Sequence, residues 1–159
     1  MNNSYRAYLL IFLSLILLSE SKILAQGINK SSDTISYTFD DKNPLHLVNL
    51  NGVDLAIRYK KGVGTPIIFI HGSWDDHHSW MPVAELISSA VKNPVILYDR
   101  RGHSASSPDI KQGTISQDVK DLVLLTENLG FDKVHLIGHS YGANIAVQSA
   151  TEYPEIVES

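Results

Sequence analysis

A glycine-flanked serine is the feature of the sequence with the clearest chemical meaning. The run Gly138-His139-Ser140-Tyr141-Gly142 follows a short apolar stretch and precedes a segment with helical spacing. Where a strand turns into a helix within a few residues, this G-x-S-x-G pattern holds the serine at a strained backbone position with its hydroxyl pointing outward. The glycines lack a Cβ, so strand and helix can approach each other closely. The pattern predicts that Ser140 is a nucleophile.

The backbone amide of Tyr141 adds an electrostatic element to this serine. It lies at the predicted helix N-terminus, where unpaired N–H groups favour negative charge. Attack on an acyl carbon moves negative charge onto the former carbonyl oxygen, and preorganised N–H donors stabilise that charge by several kcal/mol in general. The sequence therefore predicts that the Tyr141 amide contributes to an oxyanion hole.

A second polar cluster consists of Asp75, Asp76, His77 and His78. Adjacent histidines on a loop are expected to point apart, and no further ligands accompany them. We therefore predict that these side chains are exposed to solvent beside the pocket mouth. The sequence predicts no metal site and no cofactor.

The elements around the serine indicate an α/β protein. Two alternating segments flank Asn51-Gly52, the preferred pair for a type I′ turn, and predict a β-hairpin over Leu45–Leu50 and Val53–Tyr59. Continuous apolar runs predict buried strands, and segments with helical spacing alternate with them. The strands are expected at 66–70, 94–98 and 134–137, and the helices at 80–91, 114–129 and 141–152.

Two helix starts carry capping signals. Ser79 is a candidate N-cap for the first helix, and Thr114 with Gln117 forms a capping-box pattern for the second. Strands that alternate with helices predict a parallel sheet with right-handed crossovers. The antiparallel hairpin precedes that sheet in the chain.

Composition narrows the classes of function. The 159 residues are 43% hydrophobic and 19% charged, with a net charge of −4, as in an ordinary globular protein. The sequence has no cluster of basic residues of the kind that binds nucleic acid, so we expect no nucleic-acid partner. The chain has no cysteine, so disulfides, thiolate metal sites and cysteine nucleophiles are excluded.

The N-terminus has the three-part layout of a secretory signal peptide. Arg6 precedes an apolar run from Ala7 to Leu18, and a more polar stretch ends at Ala25. The apolar run is shorter than the roughly 20 residues that span a membrane. We expect cleavage after Ala25 and export to the periplasm or the medium, with an uncleaved membrane anchor as the alternative. The mature domain is expected over residues 35–159.

Three sequence blocks together resemble the α/β-hydrolase superfamily. They are Ile70-His71-Gly72-Ser73-Trp74, the loop from Tyr98 to Ser106, and Gly138-His139-Ser140-Tyr141-Gly142, in the order that the family has them. The loop is similar to the family's D-x-R-G-x-G-x-S pattern, with Ser104 where the family usually has glycine. The resemblance covers essentially the whole mature chain.

The resemblance implies roles for individual residues. Ser140 would be the nucleophile, and the backbone amides of Tyr141 and Ser73 would form the oxyanion hole. His71 would shape its turn rather than act as a base, while Asp99 and Arg101 would brace their loop. For Trp74 and Trp80 a place in the pocket wall and a place in the core both remain open.

The resemblance also implies that part of the catalytic machinery is missing. The family's chain order is serine, acid, histidine, yet all seven histidines lie at or before His139. We therefore expect a truncated α/β-hydrolase fold, the N-terminal half of a larger enzyme, with little activity of its own. Its last strand, 134–137, would be a bare edge, and His103 would be the likeliest substitute base.

Two functions remain open at this point. The first is a serine hydrolase acting on a small-molecule ester or related acyl bond. The second is a non-catalytic or degenerate module that keeps the strand-to-helix turn around Ser140, the nucleophile elbow, as part of its scaffold. The serine at the elbow argues against the epoxide hydrolase and haloalkane dehalogenase branches of the superfamily, which use aspartate there.

Overall fold

The computed structural model describes residues 45–108 and 113–159. Hence the predicted signal peptide and the first residues of the predicted domain lie outside the described residues. The strands are β1 (His46–Leu50), β2 (Val53–Lys60), β3 (Ile67–Ile70), β4 (Val95–Tyr98) and β5 (His135–Gly138). The α-helices are α1 (Met81–Ala90), α2 (Ile115–Asn128) and α3 (Tyr141–Glu152), and a 3₁₀ turn, His77–Trp80, precedes α1.

The strands form one five-stranded sheet in the order β1-β2-β4-β3-β5. The β1–β2 and β2–β4 pairs are antiparallel, whereas β3 pairs in parallel with both β4 and β5. The predicted α/β class, with a hairpin followed by parallel strands and crossover helices, is confirmed. The hairpin turn is also as predicted, because Asn51 and Gly52 both have positive φ, 55° and 95°.

Side chains of the central strands alternate between two apolar layers. Ile68, Ile70, Ile96 and Tyr98 pack with residues of α2 and α3, whereas Phe69 and Leu97, on the opposite face, pack with α1 and the 3₁₀ turn. A strand buried on both faces needs apolar residues at consecutive positions. This is why β3 and β4 appear in the sequence as uninterrupted apolar runs, and all eight of their residues are buried.

The start of α1 differs from the prediction. The N-cap of α1 is Trp80, which makes no side-chain capping bond, rather than Ser79. Asp76 caps the preceding 3₁₀ turn, since its side chain accepts a hydrogen bond from the amide of His78 at 2.8 Å. The hydroxyl of Ser79 instead donates to the carbonyl of Asp76. The 3₁₀ turn therefore lies before the predicted helix and shares only Trp80 with it. At α2 the predicted N-cap is confirmed, because the Thr114 side chain accepts from the Gln117 amide at 3.2 Å.

The outer edge of β5 is not bare. The chain returns after α3, so that Val134 and Val157 form a parallel bridge. The amides of Val134 and Leu136 donate to the carbonyls of Ile156 and Ser159 at 2.8 and 2.9 Å. The expectation of an unpaired edge is wrong over this stretch, because residues 156–159 satisfy its backbone groups.

Candidate functional site at the strand–helix elbow

Ser140 occupies the two-residue junction between β5 and α3. Its φ of 52° and ψ of −117° lie in a region that side chains other than glycine rarely adopt. The residue is exposed, and no hydrogen bond within the described residues uses its hydroxyl. Such strain is found where the surrounding structure determines the backbone, often at functional sites. The elbow geometry predicted from the sequence is present.

Both glycines of the elbow are required by close backbone approach. A Cβ on Gly142 would collide with the carbonyl oxygen of Ile70 and would lie 2.7 Å from that of His71. A Cβ on Gly138 would collide with the carbonyl of Gly142. The helix therefore starts directly against the end of β3, which brings the elbow beside the loop that follows that strand.

The site has two walls. One is the elbow, residues 138–142, and the other is the loop that follows β3. The amide of His139 donates to the carbonyl of Ile70 at 3.1 Å. An ideal Cβ on Gly72 would stand 3.3 Å from the Cβ of Ser140. Within the described part of the chain, no hydrogen bond uses the backbone amide of Ser73 or of Tyr141. The described contacts thus leave two backbone amides without a partner, that of Ser73 in the loop after β3 and that of Tyr141 next to Ser140.

His71 is buried within this loop and takes part in two hydrogen bonds. Its Nδ1–H donates to the carbonyl of Gly72 at 2.8 Å, and its Nε2 accepts from the amide of Arg100 at 3.0 Å. Burial lowers the pKa of His71 from 6.5 to about 4. A neutral ring with both nitrogens engaged shapes the turn, as predicted, and has no free nitrogen to act as a base.

Arg100 connects the two walls, a role that the sequence analysis missed. Its Nη2 donates to the carbonyl of Gly72 at 3.0 Å, and its Nη1 lies 3.2 Å from Oδ2 of Asp118. The guanidinium carbon lies 4.6 Å from the centroid of the Tyr141 ring. The only signal in the sequence was a second arginine next to Arg101, together with an acidic residue in the first turn of α2.

The carboxyl of Asp118 is buried next to this guanidinium. Burial raises its pKa, while the charge of Arg100 and a hydrogen bond with the Tyr141 side chain act in the opposite direction. Burial, with the nearby charge of Asp118, also raises the pKa of the Tyr141 phenol. The three side chains therefore form one connected polar group beside the elbow.

A cavity of about 460 Å³ opens between the two walls and the loop after β4, a volume typical of small-molecule sites. Ser140 itself is not in the lining, although the two residues with the unpartnered amides are. Trp74 lies in the cavity wall and is fully exposed, whereas Trp80 packs on the buried Phe69 ring. The lining comprises Ser73, Trp74, Arg100, Arg101, Gly102, His103, Gly113, Asp118 and Tyr141.

The prediction for His77 is wrong. This residue is buried, and both its amide and its Nδ1 contact Oδ1 of Asp99 at 2.8 Å. Burial alone would raise the pKa of Asp99, but the hydrogen bonds from His77 hold it below its ordinary value. The rings of His77 and His78 lie 4.0 Å apart instead of diverging. His78 is exposed, as predicted.

Asp76, His77 and His78 offer ligand atoms within 4.8 Å of one another. A carboxylate already engages Nδ1 of each histidine, Asp99 at His77 and Asp76 at His78. These pairings hold the 3₁₀ turn against the end of β4. The cluster therefore has a structural role in the turn.

The loop after β4 is braced as predicted. The Ser106 hydroxyl donates to the Asp99 carbonyl at 2.6 Å. Arg101 makes a bidentate ion pair with Asp121 on α2. Ser104, which stands where the family usually has glycine, has a φ of 44°. The loop therefore keeps the left-handed conformation that favours glycine at that position.

His103 is not placed to replace a missing base. Its Nδ1–H donates to the carbonyl of Arg101 at 3.0 Å, and its Nε2 faces Nη2 of Arg100 at 3.1 Å. All seven histidines lie within the described residues. None of them forms a hydrogen bond with Ser140.

Comparison with known proteins identifies the family. The sequence pattern of the family described as alpha/beta hydrolase fold matches residues 65–159. With the mixed sheet, the crossover helices and the strand–helix elbow already described, this match shows that the chain belongs to the α/β-hydrolase family.

Relatives with assigned names are hydrolases or acyltransferases. The chain is 33% identical over 96 residues to ethanol acetyltransferase 1 of Cyberlindnera jadinii, covering 59% of this chain and 28% of that protein. It is 31% identical over 100 residues to an sn-1-specific diacylglycerol lipase of Danio rerio, covering 62% of this chain and 31% of that one. The chain thus spans less than a third of either relative.

Solved structures agree on the fold. A crystal structure of an epoxide hydrolase from Vigna radiata matches with a TM-score of 0.66 at 26% identity, covering 72% of this chain and 37% of that one. No helix among the described residues is both long and apolar enough to cross a membrane.

Proposed function

We propose that this chain carries the nucleophile and the oxyanion hole of a serine hydrolase that acts on a small-molecule ester or related acyl bond. Ser140 is the nucleophile, and the backbone amides of Ser73 and Tyr141 are the oxyanion donors. The observation that carries the proposal is the strained, exposed Ser140, whose hydroxyl, like the amides of Ser73 and Tyr141, has no hydrogen-bond partner among the described residues.

The reaction would begin with attack by Ser140 Oγ on the acyl carbon. As the new C–O bond forms, the carbonyl π electrons move onto the oxygen, where the two amides stabilise the charge. Collapse of this intermediate expels the alcohol and leaves an acyl-serine, which water then hydrolyses. The hydroxyl proton must pass to a base, and none of the chain's histidines is bonded to Ser140.

The named relatives support acyl chemistry. The lipase and the acetyltransferase are named for acting on acyl groups, and an acyl-serine can release its acyl group to water or to an alcohol. The epoxide hydrolase shares the fold, but the elbow of this chain carries serine, whereas the resemblance assigns aspartate to that branch. We therefore place this chain with the serine branch of the family.

A non-catalytic module is the second candidate. The observation that favours it is the lack of any histidine bonded to Ser140 in the described residues. A scaffold of this kind would keep the elbow and the cavity without turning over substrate. The two candidates differ in whether Ser140 reacts as a nucleophile.

Covalent labelling tests the proposal. A fluorophosphonate probe should modify the purified chain at Ser140, as mapped by peptide mass spectrometry, and Ser140→Ala should abolish the modification. Ser116→Ala is a matched control, because Ser116 is an exposed serine on α2 that bonds only to the side chain of Gln148 among the described contacts. Labelling that persists in Ser140→Ala, or no labelling of the wild-type chain, would favour the non-catalytic module.

A further inference from the structure

The orientation of the Ser73 amide, one of the two proposed oxyanion donors, depends on the carbonyl of Gly72. The carbonyl of Gly72 and the amide of Ser73 belong to the same peptide unit. A trans peptide is planar, so its C=O and N–H point in opposite directions. Groups that hold the Gly72 carbonyl therefore determine where the Ser73 N–H points.

Two donors hold this carbonyl. One is Nδ1 of His71 at 2.8 Å, which comes from the adjacent residue of the same loop. The other is Nη2 of Arg100 at 3.0 Å, which comes from the loop after β4. Arg100 is 4% exposed, so water competes little for this contact. Only the arginine ties the peptide to a separate element of the fold.

The same guanidinium fixes the opposite wall. It stacks over the Tyr141 ring at 4.6 Å, and its Nη1 pairs with Asp118, which also bonds to the Tyr141 side chain. Asp118 compensates the arginine's charge within the buried site. Both terminal nitrogens of the guanidinium are thus engaged by protein groups, Nη1 by Asp118 and Nη2 by the Gly72 carbonyl.

We propose that Arg100 is the positioning residue for both oxyanion donors. It orients the Ser73 amide through the Gly72 carbonyl and restrains Tyr141 through its ring. The inference rests on the proposed function. A planar fork with separate nitrogens can hold a carbonyl and a carboxylate at once, which a single ammonium cannot do with the same geometry. Without the arginine, only the His71 ring, from the same loop, would hold the Gly72 carbonyl, and the Ser73 amide would be less firmly directed toward the developing oxyanion.

The rate of phosphonylation measures this role. Ser140 Oγ attacks the phosphorus of a fluorophosphonate, the O–P bond forms, fluoride leaves, and the hydroxyl proton passes to solvent. The charge that develops on the phosphoryl oxygen requires the same two amides. We expect Arg100→Gln to lower the second-order labelling rate about 10²-fold, the scale of losing one oxyanion donor.

Arg58→Gln is the matched control. Arg58 is a buried arginine on β2, and none of the contacts described for Gly72 involves it. We expect this variant to label within about threefold of wild type once its folded fraction is equal. If Arg100→Gln does not fold, the double variant Arg100→Met/Asp118→Leu removes both buried charges together and should show the same slow labelling.

A second readout reports the peptide itself. A hydrogen-bonded carbonyl carbon resonates at a different ¹³C shift from a free one, so Gly72 should show an upfield shift in Arg100→Gln and none in Arg58→Gln. Equal labelling rates together with an unchanged Gly72 shift would overturn the inference while leaving the proposed function intact. If wild type is not labelled at Ser140, the proposed function fails, and the Gly72 shift alone still decides whether Arg100 holds the peptide.

Discussion

At the scale of single residues, the buried side chain of His71 holds the loop that carries Ser73 although it does not line the cavity. His71 holds the turn between β3 and Ser73 by donating to Gly72 and accepting from Arg100. This pair of bonds requires the neutral ring with its proton on Nδ1. Burial enforces that state, because a charged imidazolium would lose its hydration.

The pKa of His71 makes the stability of the chain depend on pH. Its folded pKa of about 4 lies below its ordinary value of 6.5. Above pH 6.5 the ring is neutral in both states. Between these values the unfolded chain binds a proton that the fold excludes, so the free energy of unfolding should fall by about 2–3 kcal/mol from pH 7 to pH 4.5.

Urea unfolding across this pH range checks the prediction. His71→Gln should show a correspondingly flatter dependence on pH than wild type. Taking the difference between wild type and variant cancels the titration of Asp76, Asp99 and Asp118. Equal slopes for wild type and His71→Gln would contradict the assignment.

At the scale of elements, the elbow works because α3 starts against the end of β3. A Cβ at Gly142 would meet the backbone of Ile70 and His71, which belong to the strand and its loop and cannot yield as a flexible side chain would. Strand β3 therefore carries both walls of the site. The loop that contains Ser73 starts at the end of β3, and the contact of β3 with α3 fixes the position of Ser140.

Gly142→Ala should destabilise the chain by at least about 3 kcal/mol, because the clash outweighs the roughly 1 kcal/mol that alanine gains in a helix. Gly130→Ala is the control. Gly130 has a φ of 76° but open space around it, so alanine there costs only backbone strain, about 1–2 kcal/mol. Denaturant unfolding ranks the two variants, and the reverse order would refute the close approach of α3 to β3.

The N-cap of α2 gives a second prediction at this scale. Thr114→Ala removes the acceptor for the Gln117 amide and should lower the free energy of unfolding by about 1 kcal/mol. Thr114→Ser keeps the hydroxyl and should stay close to wild type. If both variants unfold alike, the cap contributes nothing to stability.

At the scale of the whole molecule, the proposed nucleophile Ser140 has no hydrogen bond to a histidine within the described residues. Loss of a general base typically costs about 10²–10⁴ in rate. We expect slow, Ser140-dependent hydrolysis of p-nitrophenyl acetate that added imidazole accelerates. Ser140→Ala, measured in the same buffers, subtracts direct hydrolysis by imidazole. Fast turnover without imidazole would show that another group acts as the base.

Export of the protein is a prediction that concerns the whole molecule, and it rests on residues 1–25 alone. Expressed in a Gram-negative host, the chain should be recovered from the periplasm with an N-terminus near Gln26. N-terminal sequencing decides between cleavage and an uncleaved anchor. An intact Met1 on cytoplasmic protein would exclude both.

The sequence by itself determined the features that local physics governs. Apolar runs marked β3 and β4, because strands covered on both faces have no polar side. The Asn51-Gly52 pair marked the hairpin turn, since both positions need positive φ. Two glycines around Ser140 marked the elbow, because close backbone approach leaves no room for a Cβ. Each signal lies within a few residues of the feature it predicts.

Only the tertiary structure decided which distant polar groups meet. His77 looked like an exposed loop residue, yet Asp99, 22 positions away, draws it into the fold. Arg100 reaches Gly72 across 28 positions and Asp118 across 18. Local patterns carry no information about such pairs, because sheet order and crossover geometry bring the loops together. The orientation of the peptide before Ser73 follows from those long-range contacts.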